Sequence, residues 1–389
     1  MRNPKIDSLA LHQKHPGKIA MHATVDVDSQ EDLSLVYSPH VAEASKAISV
    51  NKADVYKYTS KGNMVAVISD GSAVLGLGNI GPDAALPVME GKAVLFKTFA
   101  DIDAFPIVLD TQEPDNIIDI ITHLAPSFGG INLEDISAPN CIIIERELKK
   151  RLDIPVFHDD QHGTSIVTLA ALMNACRLNK KDISKLHVVI SGLGAAGGNI
   201  ARLLHKVGVS NIYGYSLEGV CSYRHYEDYD FSVQELLDEG VITSSDDKSL
   251  SALIQDKDVF IGVSAKNILT EDMITTMHKN PIVFAMANPD PEIPYKLAKK
   301  AGASIVGTGR SDYPNQINNV LAFPGLFKGV LKARAKNITD DMKIAAAKAI
   351  ANIITDKELT ADFIIPSPFD KRVVKEVSNA VYHLAKRDK

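Results

Sequence analysis

The stretch Leu186-His187-Val188-Val189-Ile190-Ser191-Gly192-Leu193-Gly194-Ala195-Ala196-Gly197-Gly198-Asn199-Ile200-Ala201 decides the fold. Its first part is a short apolar run rich in β-branched residues and closed by turn chemistry, the text of a buried strand. Gly192, Gly194 and Gly197 then stand in Gly-x-Gly-x-x-Gly spacing, and residues 199–207 read as a helix closed by Gly208. A strand entering and a helix leaving give such a loop a mechanism, because the helix N-terminus directs unpaired amides at a pyrophosphate. The segment therefore predicts a dinucleotide site at Gly192, Gly194, Ala195, Ala196 and Gly197, taking NAD or NADP. The next strand ends near Ser216, where a carboxylate would normally bond the ribose, so the pattern does not choose between the two cofactors.

Working outward, further strands fit 211–215, 258–263, 282–287 and 304–307, each of the last three preceded by helical text. This alternation implies a Rossmann-type doubly wound parallel sheet. Upstream, strands are expected at 63–68, 93–96, 106–109 and 140–144, with a helix over 117–124, which makes an α/β region. Downstream of Phe323 the text is mostly helical, over 326–335, 340–354 with Thr339 as its cap, and 371–386. A chain of 389 residues allows two domains at about 100–200 residues each. The expected division is an α/β substrate domain over 1–160, a dinucleotide domain over 161–318, and a helical tail over 319–389 packing back on the first.

Composition bounds the function. Lys plus Arg number 42 against 48 Asp plus Glu, a net charge of −6, so there is no basic excess for nucleic acid. Hydrophobic residues at 45% are ample for a core, which excludes a disordered chain. No apolar block resembles a signal-peptide core or a membrane span. Cys141, Cys176 and Cys221 form no Cys-x-x-Cys pair and suggest small buried hydrophobes in a reducing compartment. A cytoplasmic protein without nucleic-acid or membrane partners is expected.

Several clusters carry possible chemistry. Gly76, Gly78 and Gly81 repeat the glycine spacing, but Pro82, Pro87 and Gly91 follow, so no long helix is expected and a structural turn is favoured. The run Val156-Phe157-His158-Asp159-Asp160-Gln161-His162-Gly163-Thr164 reads as a strand end passing into a loop. His158 and His162 have zinc-helix spacing but lack a third soft ligand nearby. Asp159-Asp160 fits an oxygen-liganded divalent ion or a cap for a helix from Thr164. Glu134-Asp135 is either a first helical turn or half a metal site. Lys92 opens the expected 93–96 strand, either as a snorkelling edge residue or as a desolvated amine of lowered pKa able to act as a base. Tyr37 reads as a loop aromatic.

Taken together, Ser69-Asp70-Gly71, Gly76-Leu77-Gly78-Asn79-Ile80-Gly81-Pro82, Val88-Met89-Glu90-Gly91-Lys92, the Phe157 to Thr164 run, Ala287-Asn288-Pro289, Gly307-Thr308-Gly309-Arg310-Ser311-Asp312-Tyr313-Pro314-Asn315-Gln316, Asn318-Asn319 and Phe323-Pro324-Gly325 closely resemble the malic enzyme family in its short bacterial form. The resemblance covers about residues 30–385. It implies metal-dependent oxidative decarboxylation of (S)-malate to pyruvate and CO2, with reduction of NAD or NADP. By the same resemblance, Lys92 looks like the base, Tyr37 the general acid and Asp159 a support for the lysine. Glu134, Asp135 and Asp160 look like ligands of Mg2+ or Mn2+. Asn288 and Asn319 match substrate-binding asparagines, Asn288 also lying at the cofactor, and a homodimer is implied. Ser216 replaces the family's usual Asp. An oxaloacetate decarboxylase or malolactic-type lyase is the alternative on the same scaffold.

Overall fold

The computed structural model describes residues 4–74 and 76–387. The chain starts with helices α1 (Pro4–Lys14), α2 (Gln30–Val36), α3 (Ala42–Val50) and α4 (Val55–Tyr58). None of α2, α3 or α4 contributes a buried residue, and Ile6, Leu9, Met21, Leu35 and Val50 lie exposed in this region.

A first sheet follows, made of β1 (Met64–Ser69), β2 (Asp103–Val108), β3 (Gly130–Leu133) and β4 (Val156–His158) in the order β2-β1-β3-β4. All neighbours are parallel, and parallel neighbours require crossovers. These are α5 (Pro82–Ala100), α6 (Pro114–Leu124) and α7 (Asn140–Arg151). Two crossovers correct the sequence reading: residues 93–96 and 140–144 are helix, not strand. The buried side chains of α5 are Ala85, Met89, Lys92, Ala93, Phe96 and Ala100, a three-and-four spacing that only a helix produces. Pro82 sits in the first turn of α5, where its missing N–H costs nothing. The 76–81 loop does therefore open onto a long helix, and Pro87 is carried inside it.

The strand β4 runs directly into α8 (Asp159–Asn179), with His158 as the residue flanking the helix start. No loop intervenes, contrary to expectation. A second sheet contains β5 (His187–Ser191), β6 (Asn211–Ser216), β7 (Gly219–Val220), β8 (Val259–Gly262), β9 (Ile282–Ala285) and β10 (Ile305–Thr308) in the order β10-β9-β8-β5-β6-β7. Only β7 runs antiparallel. Between its strands lie α9 (Ala195–Lys206), α10 (Phe231–Asp238), α11 (Leu250–Leu253), α12 (Glu271–Thr275) and α13 (Tyr295–Lys300). The strand order reverses between β5 and β8, and the crevice beyond their carboxyl ends is where such sheets bind ligands.

The chain closes with α14 (Phe323–Ala333), α15 (Asp340–Asn352) and α16 (Arg372–Arg387). Thr339 caps α15 by accepting the Met342 N–H at 3.3 Å. Helix α14 docks on the first sheet's α5: the Phe323 and Phe327 rings lie 4.7 and 5.3 Å from Phe96. Phe327 also meets Phe157 edge-on at 5.7 Å. Among the described residues, no helix is long and apolar enough to cross a membrane.

Candidate active site

Lys92 lies on the buried stripe of α5, and the fold aims its amine at three other elements. Its Nζ donates to Asp159 Oδ2 at 2.6 Å, from the first residue of α8. It pairs with Glu134 Oε1 at 2.8 Å, just beyond β3, and stands 4.3 Å over the Phe323 ring of α14. Burial alone would pull the lysine down, but Asp159 and Glu134 outweigh it and hold it well above its ordinary value. The two carboxylates favour the charged amine, the opposite direction to the lowered pKa that the sequence left open as one reading.

The carboxyls around it outnumber the single cation. Burial raises Glu134, with Lys92 opposing and Asp159, Asp160 and Asp135 adding to the rise. Asp135 is pushed to about 7 by burial and by the charge of Asp160. Asp159 is raised by burial against the pull of Lys92. Like charges gathered in a low-dielectric site shed negative charge by taking up protons unless a cation joins them.

Glu134, Asp135 and Asp160 each offer an oxygen within 4.8 Å of the others. Asp160 Oδ2 accepts the Asp135 N–H at 3.0 Å, while Asp135 Oδ2 is buried without any hydrogen-bond partner. Asp135 also adopts a left-handed backbone at φ 53, an uncommon conformation for a residue with a side chain. An all-oxygen set with an orphaned buried carboxylate oxygen fits a hard divalent cation such as Mg2+ or Mn2+. His162 does not join this set, since its Nε2 meets both oxygens of buried Glu145 at 2.9 Å, whereas His158 Nε2 lies 3.7 Å from Asp160 Oδ2.

The 192–197 loop has the geometry that a dinucleotide requires. Gly192 takes φ +88, and a side chain there would meet Val263 O at 2.7 Å, so β5 and β8 close on each other at the crevice. A Cβ on Gly197 would lie 1.7 Å from Gly192 O, which is the close helix-to-strand approach the third glycine permits. Gly194 flanks the N-terminus of α9, and Ala195 and Ala196 form its first turn. Ser216 ends β6, its Oγ donating to Gly219 O at 3.4 Å, so no carboxylate waits at the ribose position.

Among the other expected residues, Asn319 Nδ2 donates to Asp159 Oδ2 at 2.5 Å, which ties the tail to the lysine's partner. Asn288 lies just past β9, and its carbonyl would be 3.6 Å from a Cβ on Gly76, so the 76–81 loop reaches across to the second sheet. Tyr37 is not brought in. It ends α2 with 71% of its surface exposed and shares no hydrogen bond or ring contact with Lys92. Sequence reasoning missed Asn132, whose Nδ2 donates to Glu134 Oε2 at 2.9 Å. It also missed Glu145, which accepts the His158 N–H at 3.1 Å and so braces the turn from β4 into α8. Asn132 lies two residues before Glu134 but in no recognised motif, and Glu145 is remote in sequence from His158, although the burial spacing of α7 places it on the inward face.

Comparison with known proteins agrees with this architecture. Residues 16–149 match the family description "Malic enzyme, N-terminal domain", and residues 161–386 match "Malic enzyme, NAD binding domain". A bifunctional malic/malolactic enzyme of Bacillus subtilis is 55% identical over 378 residues, covering 96% of this chain and 91% of that one. An NADP-dependent malic enzyme of Rhizobium meliloti is 46% identical over 393 residues, covering 96% of this chain and 51% of that one. The crystal structure of an NAD-dependent malic enzyme from Thermotoga maritima superposes with a TM-score of 0.92 at 48% identity, covering 97% of this chain and 99% of that one. The chain belongs to the malic enzyme family.

Proposed function

We propose that the chain converts (S)-malate and an oxidised nicotinamide cofactor into pyruvate, CO2 and reduced cofactor, with Mg2+ or Mn2+ held by Glu134, Asp135 and Asp160. The observation that carries this reading is the cluster of Lys92, Asp159 and these three carboxyls, all buried except Asp160, which is half-buried. When bound, the divalent cation supplies Lewis-acid polarisation of the substrate's oxygens. A bound NAD or NADP would supply the hydride acceptor, its pyrophosphate held by the loop of Gly192, Gly194, Ala195, Ala196 and Gly197 at the N-terminus of α9.

The chain's own groups manage protons and orientation. Lys92 is proposed to take the C2 hydroxyl proton in its neutral form, with Asp159 Oδ2, 2.6 Å away, orienting the amine. The Asn319 amide fixes that oxygen. Asn288, across the cleft, is proposed to hold both substrate and cofactor. Tyr37 would return a proton to C3 after CO2 leaves. Its exposure, with that of Leu35 and Val36 beside it, favours a homodimer in which a second copy covers the N-terminal helices. A contiguous apolar surface of this kind commonly marks an interface.

A decarboxylating lyase is the second reading, favoured by Ser216 at the ribose position and by the malolactic activity named for the Bacillus subtilis relative. The test is absorbance of reduced cofactor with malate and Mn2+, run separately with NAD and NADP. Reduction with at least one is expected; no reduction with either, alongside lactate formation or rapid oxaloacetate decarboxylation, establishes the lyase instead. Lys92→Ala should lose malate oxidation by far more than tenfold, about 1.4 kcal/mol of barrier, while still binding cofactor.

A further inference from the structure

Glu292 is a carboxylate that the chemistry above does not use, although it is fully buried. Its Oε1 accepts the Ser264 N–H at 2.9 Å, and its Oε2 accepts the Ala287 N–H at 3.1 Å. Ser264 follows β8 and Ala287 follows β9, so one side chain ties the two loops that leave adjacent strands at the sheet's carboxyl edge. Its carbonyl also accepts the Leu269 N–H at 3.1 Å.

Both loops border the crevice. Ser264 Oγ lies 2.9 Å from Ser191 Oγ at the end of β5, and its Cβ is 2.9 Å from where a side chain on Gly192 would begin. Ala287 precedes Asn288. The absence of a side chain at Gly262 makes the room: a Cβ there would be 2.3 Å from the Glu292 carboxyl carbon. Burial raises this carboxyl, and the Ser264 and Ala287 N–H groups oppose the rise. A carboxylate offers an acceptor on each oxygen, whereas an amide would turn a donor toward one of the two N–H groups.

We propose that Glu292 is a positioning residue for the nicotinamide cofactor, locking the β8 and β9 loops at the spacing that lets the 192–197 loop and Asn288 hold one dinucleotide between them. The proposal rests on the nicotinamide reading. It places Glu292 with cofactor binding, touching the metal-assisted decarboxylation built on the first sheet only through Asn288.

The test is titration of purified wild type and Glu292→Gln with NADH and NADPH, followed by cofactor fluorescence, with thermal midpoints and Mn2+-dependent oxaloacetate decarboxylation measured in parallel. Glu292→Gln should weaken binding of the preferred reduced cofactor by about tenfold or more, with a clearly smaller fall in decarboxylation, reached only through Asn288, and a midpoint close to wild type. Gly262→Ala, which pushes the carboxylate without removing it, should reproduce the split. Cofactor affinity within about twofold of wild type in Glu292→Gln overturns the proposal. So does a joint loss of affinity, decarboxylation and midpoint in both variants, which assigns Glu292 to the fold alone. A wild type that binds neither reduced cofactor would instead sink the nicotinamide reading itself.

Discussion

A methyl group added at residue 163 would lie 2.0 Å from Asp159 Oδ1 and 3.0 Å from the Asn319 Cβ. Position 163 is inside α8, one turn beyond Asp159, where glycine ordinarily costs up to about 1 kcal/mol relative to alanine. Here the alanine has no room unless the carboxylate turns, and turning it breaks the geometry with Lys92 and Asn319. Gly163→Ala should therefore lower kcat for malate oxidation by at least about tenfold, with the KM for cofactor nearly unchanged. Steady-state kinetics with each substrate varied would check this, and a kcat equal to wild type would show that the orientation of Asp159 does not matter. The same residue shows why parts of the site escape a sequence reading. Gly163 reads as a turn signal when only its neighbours are considered. Its role comes from lying under an Asp159 carboxylate whose direction is set by Lys92 and Asn319, partners that arrive only once α5 and the tail meet α8.

At the scale of elements, legibility follows how local the cause is. The β5 strand, its glycine loop and α9 were readable because strand, close approach and helix N-terminus are consecutive in the chain. Thr339 was readable as a cap for the same reason. Helix α5 was not: Pro87 and Gly91 obscured a buried spacing of three and four, and the apolar run ending at Phe96 mimicked a strand. Lys92, Glu134 and Asp160 could be assigned roles only through family resemblance, because their partners lie far away in sequence. Helix α14 joins these distant pieces, and it does so with aromatic rings. Phe327 is fully buried between Phe96 and Phe157, and its ring fills the space beside Gly130. Truncating such a residue leaves a cavity, so Phe327→Ala should cost about 3–5 kcal/mol. Phe327→Leu should cost less, because more of the volume is kept. Denaturant unfolding of both variants would measure this. Equal and small losses would mean that α14 docks without its aromatic contacts.

For the whole molecule, the site is also a charge problem solved jointly by the first sheet, its helices and the tail. Lys92 of α5 faces Glu134 and Asp135 after β3, with Asp159 and Asp160 opening α8, and Asn319 leads into α14. Asp135, ordinarily near 3.8, is held at about 7, so the folded chain binds a proton there that the unfolded chain releases. A group raised in this way contributes stability that is fully present below its unfolded pKa and lost as pH rises through the folded one. Between about pH 4 and 7, the metal-free protein should therefore lose stability from this group. A divalent cation reverses the sign, because it binds the deprotonated carboxylates and only the folded chain assembles them. The thermal midpoint gained on adding Mn2+ should consequently be larger at pH 8 than at pH 5.5, and chelation should remove more at the higher pH. In Asp135→Asn the pH-dependent part of that gain should shrink, since one titrating ligand is gone while Glu134, also raised, remains. Thermal scans of both proteins, with Mn2+ and with chelator at each pH, decide the matter. A gain that is the same at both pH values in the native chain would mean that no carboxyl of this cluster exchanges its proton for the metal.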